Sequence, residues 1–268
     1  MKRKRKQISA TDVFIALLML AIILVSKFSP EHTEPPPQYR QPSLANDSHP
    51  MDISDVGKIA LSSGQALRER DIERGALELF GGRRSGVVYL NWNQRPLTPL
   101  ASGVDDKMHF VNAYLVGYVP DPKAPPWAPL YVLASRKIYQ TDLAQYHRED
   151  VWQTSYQAMN SERGDCEDHA LALADWLIGL GMDARVVIGK MKGEGHAWVV
   201  VREGQRTFLL EATNKRRQRS WAYPLAILHP EYQPHDMFNR TQWWRQSGGP
   251  TTDYSDARWT LGATYRSK

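Results

Sequence analysis

The sequence predicts an α+β fold in which a short helix packs on an antiparallel sheet, with one transmembrane helix at the N-terminus. An unbroken apolar run from Val13 to Val25 predicts the transmembrane helix. Apolar residues recur at helical spacing after Cys166 and predict the short helix. The β-rich runs 184–188, 197–201 and 207–210, separated by a loop and a tight turn, predict three neighbouring strands.

Residues 1–28 have the pattern of a signal anchor. A basic cluster at residues 2–6 precedes the apolar run, and the span from Ile8 to Phe28 contains 21 residues. A membrane-spanning helix needs about 20 residues. Because no small-x-small cleavage site follows the run, an uncleaved anchor is favoured over a cleaved signal peptide. The basic residues would stay in the cytoplasm and the rest of the chain would be exported.

Composition narrows the range of functions. With 42% hydrophobic residues the chain can bury a core. The five basic residues at 2–6 account for the net charge of +5, so nucleic-acid binding is not indicated. The single cysteine excludes an internal disulfide and a cysteine-rich zinc site.

Weaker patterns divide the chain before the predicted core. Residues 29–52 are rich in proline and predict an extended, semi-rigid linker. Residues 53–137 form an N-terminal extension of the globular domain. In this part and just after it we expect helices over 53–80 and 148–159, strands over 87–92 and 110–119, and loops over 96–107 and 120–129.

The only cysteine stands at the predicted start of a helix. Asp165 has the residue type of an N-cap, and Asp168 falls in the first turn. The unpaired N–H groups and the dipole at a helix N-terminus favour the thiolate form of a cysteine. Cys166 is therefore predicted to be a nucleophile, partly exposed and more reactive than an ordinary thiol.

A histidine and a carboxylate follow at the ends of the next strands. His196 stands at the entrance of the strand over 197–201, and Glu211 stands at the end of the strand over 207–210. Antiparallel pairing of these strands would bring the two side chains together. A thiol, an imidazole and a carboxylate in this order predict a nucleophile, its base and the acid that orients the base.

Two other residues compete for these roles. His169 lies three residues after Cys166, so a helix would place both on one side. Glu203 belongs to the predicted turn between the two strands. We favour His196 as the base because it follows Gly195 at a strand start.

Three motifs share their order and spacing with a known family. They are Asp-Cys-Glu-Asp-His-Ala (165–170), His-Ala-Trp-Val (196–199) and Leu-Glu-Ala-Thr (210–213), preceded by Asp-Val-Trp-Gln-Thr (150–154). Together they resemble the transglutaminase-like superfamily with its papain-like core, in particular the bacterial transglutaminase-like cysteine proteinases. The family more often has Asp as the third residue, where this chain has Glu211.

The resemblance implies further roles near the nucleophile. In papain-like sites a side chain upstream of the cysteine helps to bind the oxyanion, which points to Gln153 or Trp152. Acids that flank the nucleophile bind calcium in some family proteinases, so Asp165 and Glu167 are candidates for a calcium site. Capping and solvation account for both acids without a metal, and no cofactor is required.

The resemblance also implies an activity and a location. The expected protein is a membrane-anchored cysteine peptidase or amidase that acts by acyl transfer through Cys166, His196 and Glu211, with residues 138–213 as its catalytic core. It would sit in the bacterial inner membrane with a single span and act in the periplasm on an envelope protein or peptide. Hydrolysis is favoured because nothing marks an amine-acceptor site. The alternatives are a protein-crosslinking transglutaminase and a non-catalytic envelope interaction module with a relict triad.

Residues 214–268 form an aromatic C-terminal extension that begins with a basic cluster. We expect its aromatic side chains to pack around the core. The alternative is that they line a groove for a peptide or glycan, because aromatic faces stack well on such ligands.

Overall fold

An eight-stranded antiparallel sheet dominates the computed structural model, which describes residues 58–60, 66–68, 74, 87–92, 95–249 and 251–266. The predicted transmembrane helix at 8–28 and the predicted linker at 29–52 lie outside the described residues. Among the residues that are described, no helix has the length and apolar character needed to cross a membrane.

The described part of the chain has its complete α-helices between residues 128 and 179, with strands before, among and after them. The strands are β1 (Lys58–Ala60), β2 (Ala66–Arg68), β3 (Val87–Trp92), β4 (Arg95–Ser102), β5 (Met108–Phe110), β6 (Ile138–Tyr139), β7 (Arg163–Gly164), β8 (Asp183–Met191), β9 (Glu194–Glu203), β10 (Arg206–Leu210), β11 (Tyr232–Phe238), β12 (Gln242–Gln246) and β13 (Trp259–Arg266). The helices are α1 (Ala128–Arg136), α2 (Asp142–Tyr146), α3 (Ser155–Asn160) and α4 (Cys166–Gly179).

The main sheet has the strand order β10-β9-β8-β11-β12-β13-β1-β2. Every neighbouring pair in it is antiparallel. A second sheet contains β3, β4 and β5, and a short parallel pair joins β6 to β7. Because β7 leads directly into α4, this parallel pair sets the position at which α4 begins.

Apolar layers cover both faces of the main sheet at β8 and β9. On one face Val186 and Val199 belong to a core that includes the buried side of α4. On the other face Val187 and Trp198 belong to a second core, which the C-terminal aromatic residues Trp244, Tyr254 and Trp259 complete. Strands buried on both faces have continuous apolar sequences, which explains the run 197–201 in β9 and the shorter run 186–188 in β8. The buried positions of the C-terminal aromatics support the prediction that they pack around the core.

The middle of α4 is tied to separate parts of the chain by Asp175, which is completely buried. Its carboxylate accepts hydrogen bonds from the backbone N–H groups of Gly117 and Tyr118, each at 2.8 Å, and from the hydroxyl of Ser155. It also forms an ion pair with Arg240 from the β11–β12 connection. A buried charge is stable only when it is paired and hydrogen-bonded in this way.

The elements around the predicted site are confirmed. The helix after Cys166 is α4, and the three predicted strands are β8, β9 and β10. The strand over 87–92 is β3. Strands β8 and β9 extend further than expected, because they continue through the predicted loop to a tight turn at Lys192 and Gly193, both with positive φ.

Several upstream predictions are wrong. The expected helix over 53–80 contains β1 and β2, which join the sheet beside the distant β13. Most of the loop expected at 96–107 is β4, whose prolines lie opposite a register shift in β3; prolines are tolerated at such bulges. A 3₁₀ turn, Val111–Tyr114, followed by irregular chain over 115–119, replaces the strand expected at 110–119 beyond its first residue.

One helix prediction also needs correction, and one helix was not expected. Of the helix expected over 148–159, only the last residues belong to a helix, which is α3. Trp152 instead bridges to Gly103 and donates its N–H to the carbonyl of Ser102. Helix α1 was not expected after a proline-rich segment, although Pro129 at the start of a helix is favourable.

Candidate active site

Cys166 is the first residue of α4, so its predicted first-turn position is confirmed. The side chain is partly exposed, and Sγ lies 3.2 Å from Oε2 of Glu167. The chain reaches this point through Gly164, where a Cβ atom would lie 2.6 Å from Oδ2 of Asp168. Asp165 occupies the N-cap position, but its side chain makes no capping hydrogen bond, which corrects the predicted cap.

His196 lies on β9 opposite Gly189 of β8. Its Nε2 is 2.9 Å from Oε2 of Glu211, and Cys166 is among the groups that act on the pKa of the imidazole, which places the thiol within electrostatic reach of the ring. Because Nε2 is engaged by Glu211, Nδ1 is the nitrogen that remains for Cys166. The structure therefore brings together the three residues that the sequence singled out, with the imidazole between the thiol and the carboxylate.

Two neighbours fix the Glu211 carboxylate. Oε1 accepts hydrogen bonds from the backbone N–H of Thr213 at 3.0 Å and from its hydroxyl at 2.7 Å. Oε2, which bonds His196, also accepts a hydrogen bond from the hydroxyl of Tyr232 at 2.8 Å. Thr213 and Tyr232 therefore hold both carboxylate oxygens, and these contacts fix the carboxylate independently of the imidazole.

The electrostatics favour a charged imidazole. Burial lowers the pKa of His196, but hydrogen bonds to Cys166 and Glu211 and the negative charges of both groups outweigh burial and raise the pKa to about 10. Burial raises the pKa of Glu211, but His196 and Thr213 outweigh it and hold this pKa below its usual value. At neutral pH the site therefore contains an imidazolium bound to a carboxylate.

The two competing residues lie in unsuitable environments. Glu203 is at the opposite end of β9 from His196, and its carboxylate pairs with Arg206 at 2.6 Å. His169 is completely buried, and neither of its ring nitrogens has a hydrogen-bond partner among the described residues. Burial, with the positive charges of Lys215 and Lys137, lowers the pKa of His169 to about 2. A base must accept a proton near neutral pH, which this environment disfavours.

The two residues considered for the oxyanion site donate to other groups. Nε2 of Gln153 donates to Oδ2 of Asp168 at 2.7 Å and to the carbonyl of Arg163 at 3.1 Å. Nε1 of Trp152 donates to Oδ1 of Asp150 at 2.9 Å. In this arrangement both side chains stabilise the segment before Cys166. To bind an oxyanion, either side chain would have to leave its present hydrogen-bond acceptor.

Buried carboxyl groups cluster beside Cys166. The side-chain oxygens of Asp142, Asp150 and Glu167 lie within 4.8 Å of one another, as do those of Asp142, Asp165 and Asp168. No amide, hydroxyl or cationic group among the described residues donates to Oδ1 of Asp142 or to Oδ1 of Asp165. A side-chain oxygen of Glu167 instead lies within 4.8 Å of an oxygen of Asp142 and within 4.8 Å of an oxygen of Asp165.

This crowding shifts the protonation of the cluster. Burial and the charge of Asp165 raise the pKa of Asp142 to about 7, and burial raises that of Asp150 to about 6. Burial and the charges of Cys166 and Asp165 raise the pKa of Glu167 well above its usual value. Oxygen ligands with unsatisfied negative charge suit a hard cation such as calcium, so the residues present fit such an ion.

Sequence reasoning missed several residues of this site. Thr213 stands two positions after Glu211. This is the spacing of a local side-chain-to-backbone hydrogen bond, so the contact between the two residues could have been predicted. Tyr232 and Asp142 reach the site from separate parts of the chain, and no local pattern marks them. The predicted acids Asp165 and Glu167 are in the cluster, but the sequence alone did not indicate that Asp142 would join them.

A protein-family model matches part of the chain. The family model described as the CEP76 peptidase-like domain matches residues 150–261, which include Cys166, His196 and Glu211. Similar curated proteins are the centrosomal protein of 76 kDa from Homo sapiens, 39% identical over 72 residues, and from Mus musculus, 43% identical over 54 residues. These stretches are 26% and 20% of this chain but 11% and 8% of the relatives. The chain therefore spans only a small part of the length of these relatives.

Solved structures of LapG from Legionella pneumophila are similar over part of the chain. The EGTA-treated form has a TM-score of 0.38 and 19% identity, and the match covers 47% of this chain and 70% of that chain. The calcium-bound form has a TM-score of 0.37 and 20% identity, with coverage of 46% and 70%. The family-model match connects the residues of the candidate site with a peptidase-like domain.

Proposed function

We propose that this protein is a transglutaminase-like cysteine peptidase or amidase that acts by acyl transfer through Cys166, His196 and Glu211. The observation that carries the proposal is the His196 imidazole, which is hydrogen-bonded to the fixed carboxylate of Glu211 and lies within electrostatic reach of the Cys166 thiol. A nucleophile, a base and an orienting group within hydrogen-bonding reach form the arrangement needed for covalent catalysis at an acyl group.

The first half of the reaction forms a thioester. The Cys166 thiolate attacks the carbonyl carbon of an amide, a C–S bond forms, and negative charge moves to the carbonyl oxygen. The backbone N–H of Cys166 stands at a helix N-terminus without an intrahelical acceptor, so it is available to that oxygen. As the C–N bond breaks, Nδ1 of His196 gives its proton to the departing amine.

The second half releases the acyl group. His196, now neutral, takes a proton from water, and the resulting hydroxide adds to the thioester carbonyl. The C–S bond breaks, the carboxylic acid leaves, and the site returns to thiolate and imidazolium. Glu211 keeps Nε2 of His196 protonated and directed away from the thiol throughout, so that Nδ1 alone exchanges the proton. An amine in place of water would give a new amide, the transglutaminase outcome.

A divalent cation fits the acidic cluster as a structural group. Asp142, Asp150 and Glu167 would hold it, and calcium is the ion that best suits a set made only of oxygen ligands. When bound, it would supply positive charge that offsets the repulsion among these carboxylates and orders the start of α4.

The location is proposed from the N-terminal sequence. The basic cluster and the apolar run before residue 29 support a single-pass anchor in a bacterial inner membrane. The catalytic unit would then face the periplasm, with an envelope protein or peptide as its substrate. A reporter fused to the C-terminus and the mature N-terminal sequence test this topology. A cytoplasmic reporter signal, or a mature N-terminus between Ser26 and Pro30, would contradict it.

Alkylation of the single cysteine tests the proposed activity. The full chain is treated at neutral pH with a fluorescent iodoacetamide, and the second-order rate constant is compared with that of His196→Ala. A nucleophile supported by the imidazolium should react at least about tenfold faster than the variant. A proteomic comparison of cleaved envelope proteins between wild type and Cys166→Ala then identifies substrates. Equal alkylation rates, together with no cleaved protein, would favour a non-catalytic interaction module.

A further inference from the structure

A cavity lies beside the carboxylate of the candidate triad. Its volume is about 270 Å³, and Glu211 and Tyr232 both line it. Oε2 of Glu211 lies 2.9 Å from Nε2 of His196 and accepts a hydrogen bond from the hydroxyl of Tyr232 at 2.8 Å. Direct contacts therefore place the cavity next to the imidazole. Sites for drug-sized ligands have about 300–1,000 Å³, so this cavity is of a size for one residue of a peptide.

The segment that follows Glu211 forms one wall of the cavity. The N–H of Asn214 donates to the carbonyl of Glu211 at 3.2 Å, and the N–H of Arg216 donates to Oδ1 of Asn214 at 3.1 Å. Further along, the guanidinium of Arg219 donates to the hydroxyl of Tyr131 in α1 at 3.1 Å. These contacts hold the wall at both ends. Between them Arg216 lines the cavity and is exposed, so it belongs to the rim.

The charged side chains that line the cavity do not balance one another. Oε2 of Glu211 is bound by His196. The second carboxylate of the lining, Glu231, is bound by His229, whose Nδ1 lies 2.9 Å from Oε1. Arg216 forms no ion pair with any residue that the structure describes. The lining therefore offers an unpaired guanidinium, which favours a ligand that carries a carboxylate.

Buried residues form the floor of the cavity. They are Leu130, Leu209 and Tyr223. The hydroxyl of Tyr223 has no hydrogen-bond partner in the described part of the chain. A buried donor without an acceptor costs free energy, and carboxylate oxygens are acceptors for phenol and guanidinium groups alike. A side chain with an apolar stem and an acidic end therefore matches both the floor and the rim.

We propose that this cavity binds an acidic residue of the peptide substrate on the amine side of the scissile bond. The stem of that residue would pack on Leu209, and its carboxylate would pair with Arg216. The inference rests on the proposed function, because the cavity has this role only next to a working His196. It adds a substrate preference, for peptides with Glu or Asp shortly after the bond that is cleaved.

The contacts of His196 select the amine side. In the proposed mechanism Nδ1 of His196 gives its proton to the departing amine, so that amine lies within hydrogen-bonding distance of the ring. The other ring nitrogen contacts Glu211, which lines the cavity. An extended peptide advances about 3.3 Å per residue, so the first or second residue after the scissile bond reaches the cavity. The acyl part is instead bonded to Sγ of Cys166.

Acyl transfer to short amines tests the amine side alone. In the full chain, p-nitrophenyl acetate acylates Cys166, and a dipeptide amide then competes with water for the acetyl group. The amine attacks the thioester carbonyl, the C–S bond breaks, and the N-acetyl dipeptide amide leaves as the thiol is restored. The acceptors form two matched pairs, Gly-Glu-NH₂ with Gly-Gln-NH₂ and Glu-Gly-NH₂ with Gln-Gly-NH₂. The assay is run at about pH 8, near the pKa of an α-amino group, and the rate with Cys166→Ala is subtracted as the uncatalysed reaction.

The expected result is a preference for Glu over Gln in at least one pair. An ion pair at an exposed rim is weak, so the transfer rates should differ by about two- to fivefold. Arg216→Gln should remove the preference. Arg217→Gln is the matched control and should keep it, because Arg217 is the next residue along the chain and does not line the cavity. Arg216→Glu should instead favour Arg over Gln at the same position of the dipeptide.

A second measurement separates the possible failures. The same amides are tested as inhibitors of ester hydrolysis, which reports their binding even when water captures the acetyl group. Equal values for the Glu and Gln amides in both measurements would overturn the binding of an acidic residue, as would a preference that Arg217→Gln removes as fully as Arg216→Gln. Ester hydrolysis that needs Cys166 and His196 would still support the proposed function in that case. Ester hydrolysis that is unchanged in Cys166→Ala and His196→Ala would overturn both proposals.

Discussion

Replacing Glu211 with Gln tests the charge that holds His196 in its imidazolium form. Oε2 of Glu211 contacts Nε2 of His196, and Oε1 accepts two hydrogen bonds from Thr213. A Gln side chain would keep its oxygen on Thr213 and so place its NH₂ group toward Nε2. Because an NH₂ group donates, it favours the tautomer with the proton on Nδ1, the nitrogen that faces Cys166. In that tautomer Nδ1 already carries a proton. The neutral imidazole therefore cannot accept a proton at the nitrogen that faces Cys166.

The expected size of the effect follows from the contact that is lost. A hydrogen bond to a charged group contributes about 1.5–3 kcal/mol, which corresponds to about 10- to 150-fold in rate. Glu211 is also among the groups that raise the pKa of His196 to about 10. Its replacement must therefore lower that pKa, and His196 should lose its proton at a lower pH than in the wild type.

Two measurements check this prediction. The ring nitrogens of His196 are followed by ¹⁵N NMR from neutral pH to above pH 10, and turnover is followed on a fluorescent peptide amide. The matched control is Glu203→Gln, which removes a carboxylate from the same strand pair but breaks only an exposed pair with Arg206. The reasoning is refuted if Glu211→Gln leaves the titration of His196 unchanged, or if Glu203→Gln moves it by the same amount.

Three further predictions concern other residues of the site and of α4. Tyr232→Phe removes one hydrogen bond to Glu211 and should slow turnover by about three- to tenfold, less than Glu211→Gln does. Cys166→Ala and His196→Ala should each remove most activity, and the double variant should lose little more, because residues that act as a unit are not additive; additive losses would argue against a shared mechanism. Asp175→Asn should lower the free energy of unfolding by about 2–3 kcal/mol in urea, since it weakens the contacts that anchor α4. An unchanged urea midpoint would show that these contacts are not needed.

Local patterns predicted the part of the fold that carries the triad. Helical spacing after Cys166 and β-rich runs separated by turns are signals within a single element, and α4, β8, β9 and β10 form where they indicate. The chain order of thiol, imidazole and carboxylate then sufficed to select three residues that the fold brings together. The turn between β9 and β10 connects neighbouring strands, so the approach of His196 and Glu211 is itself a local consequence of the sequence.

Contacts between distant segments could not be predicted in this way. Strands β1 and β2 form only because β13, near the other end of the chain, offers an edge to pair with. Tyr232 reaches Glu211 from β11, which joins the sheet on the far side of β8. Asp142 enters the acidic cluster from α2, and its residue type alone also fits an exposed helix start. In each case the tertiary partner decides the structure, and nothing in the neighbouring sequence identifies that partner.

We expect the acidic cluster to lower the stability of the folded protein as pH rises, and we expect calcium to oppose this loss. The pKa of Asp142 is raised to about 7 and that of Asp150 to about 6, both above the value of 3.8 for a free carboxyl. The folded state thus binds these protons more tightly than the unfolded state. The corresponding stability is complete below pH 3.8 and is lost as pH rises to about 7. The contribution of His196 is lost in a later window, from its ordinary pKa of 6.5 up to about 10.

Thermal unfolding in a chelator and in calcium measures this dependence. Without a divalent cation the Tm should fall between about pH 5 and about pH 7, because ionisation leaves like charges buried together. Calcium should raise the Tm more at the higher pH, where the carboxylates are charged and free to bind it. Asp142→Asn should reduce both the fall and the calcium shift, whereas Asp256→Asn, at an exposed pair with Arg202, should leave both as in the wild type. The contrary result is a Tm that does not change with pH over this range and does not respond to calcium at the upper end of the range. It would mean that Asp142 and Asp150 do not titrate as their burial and crowding require.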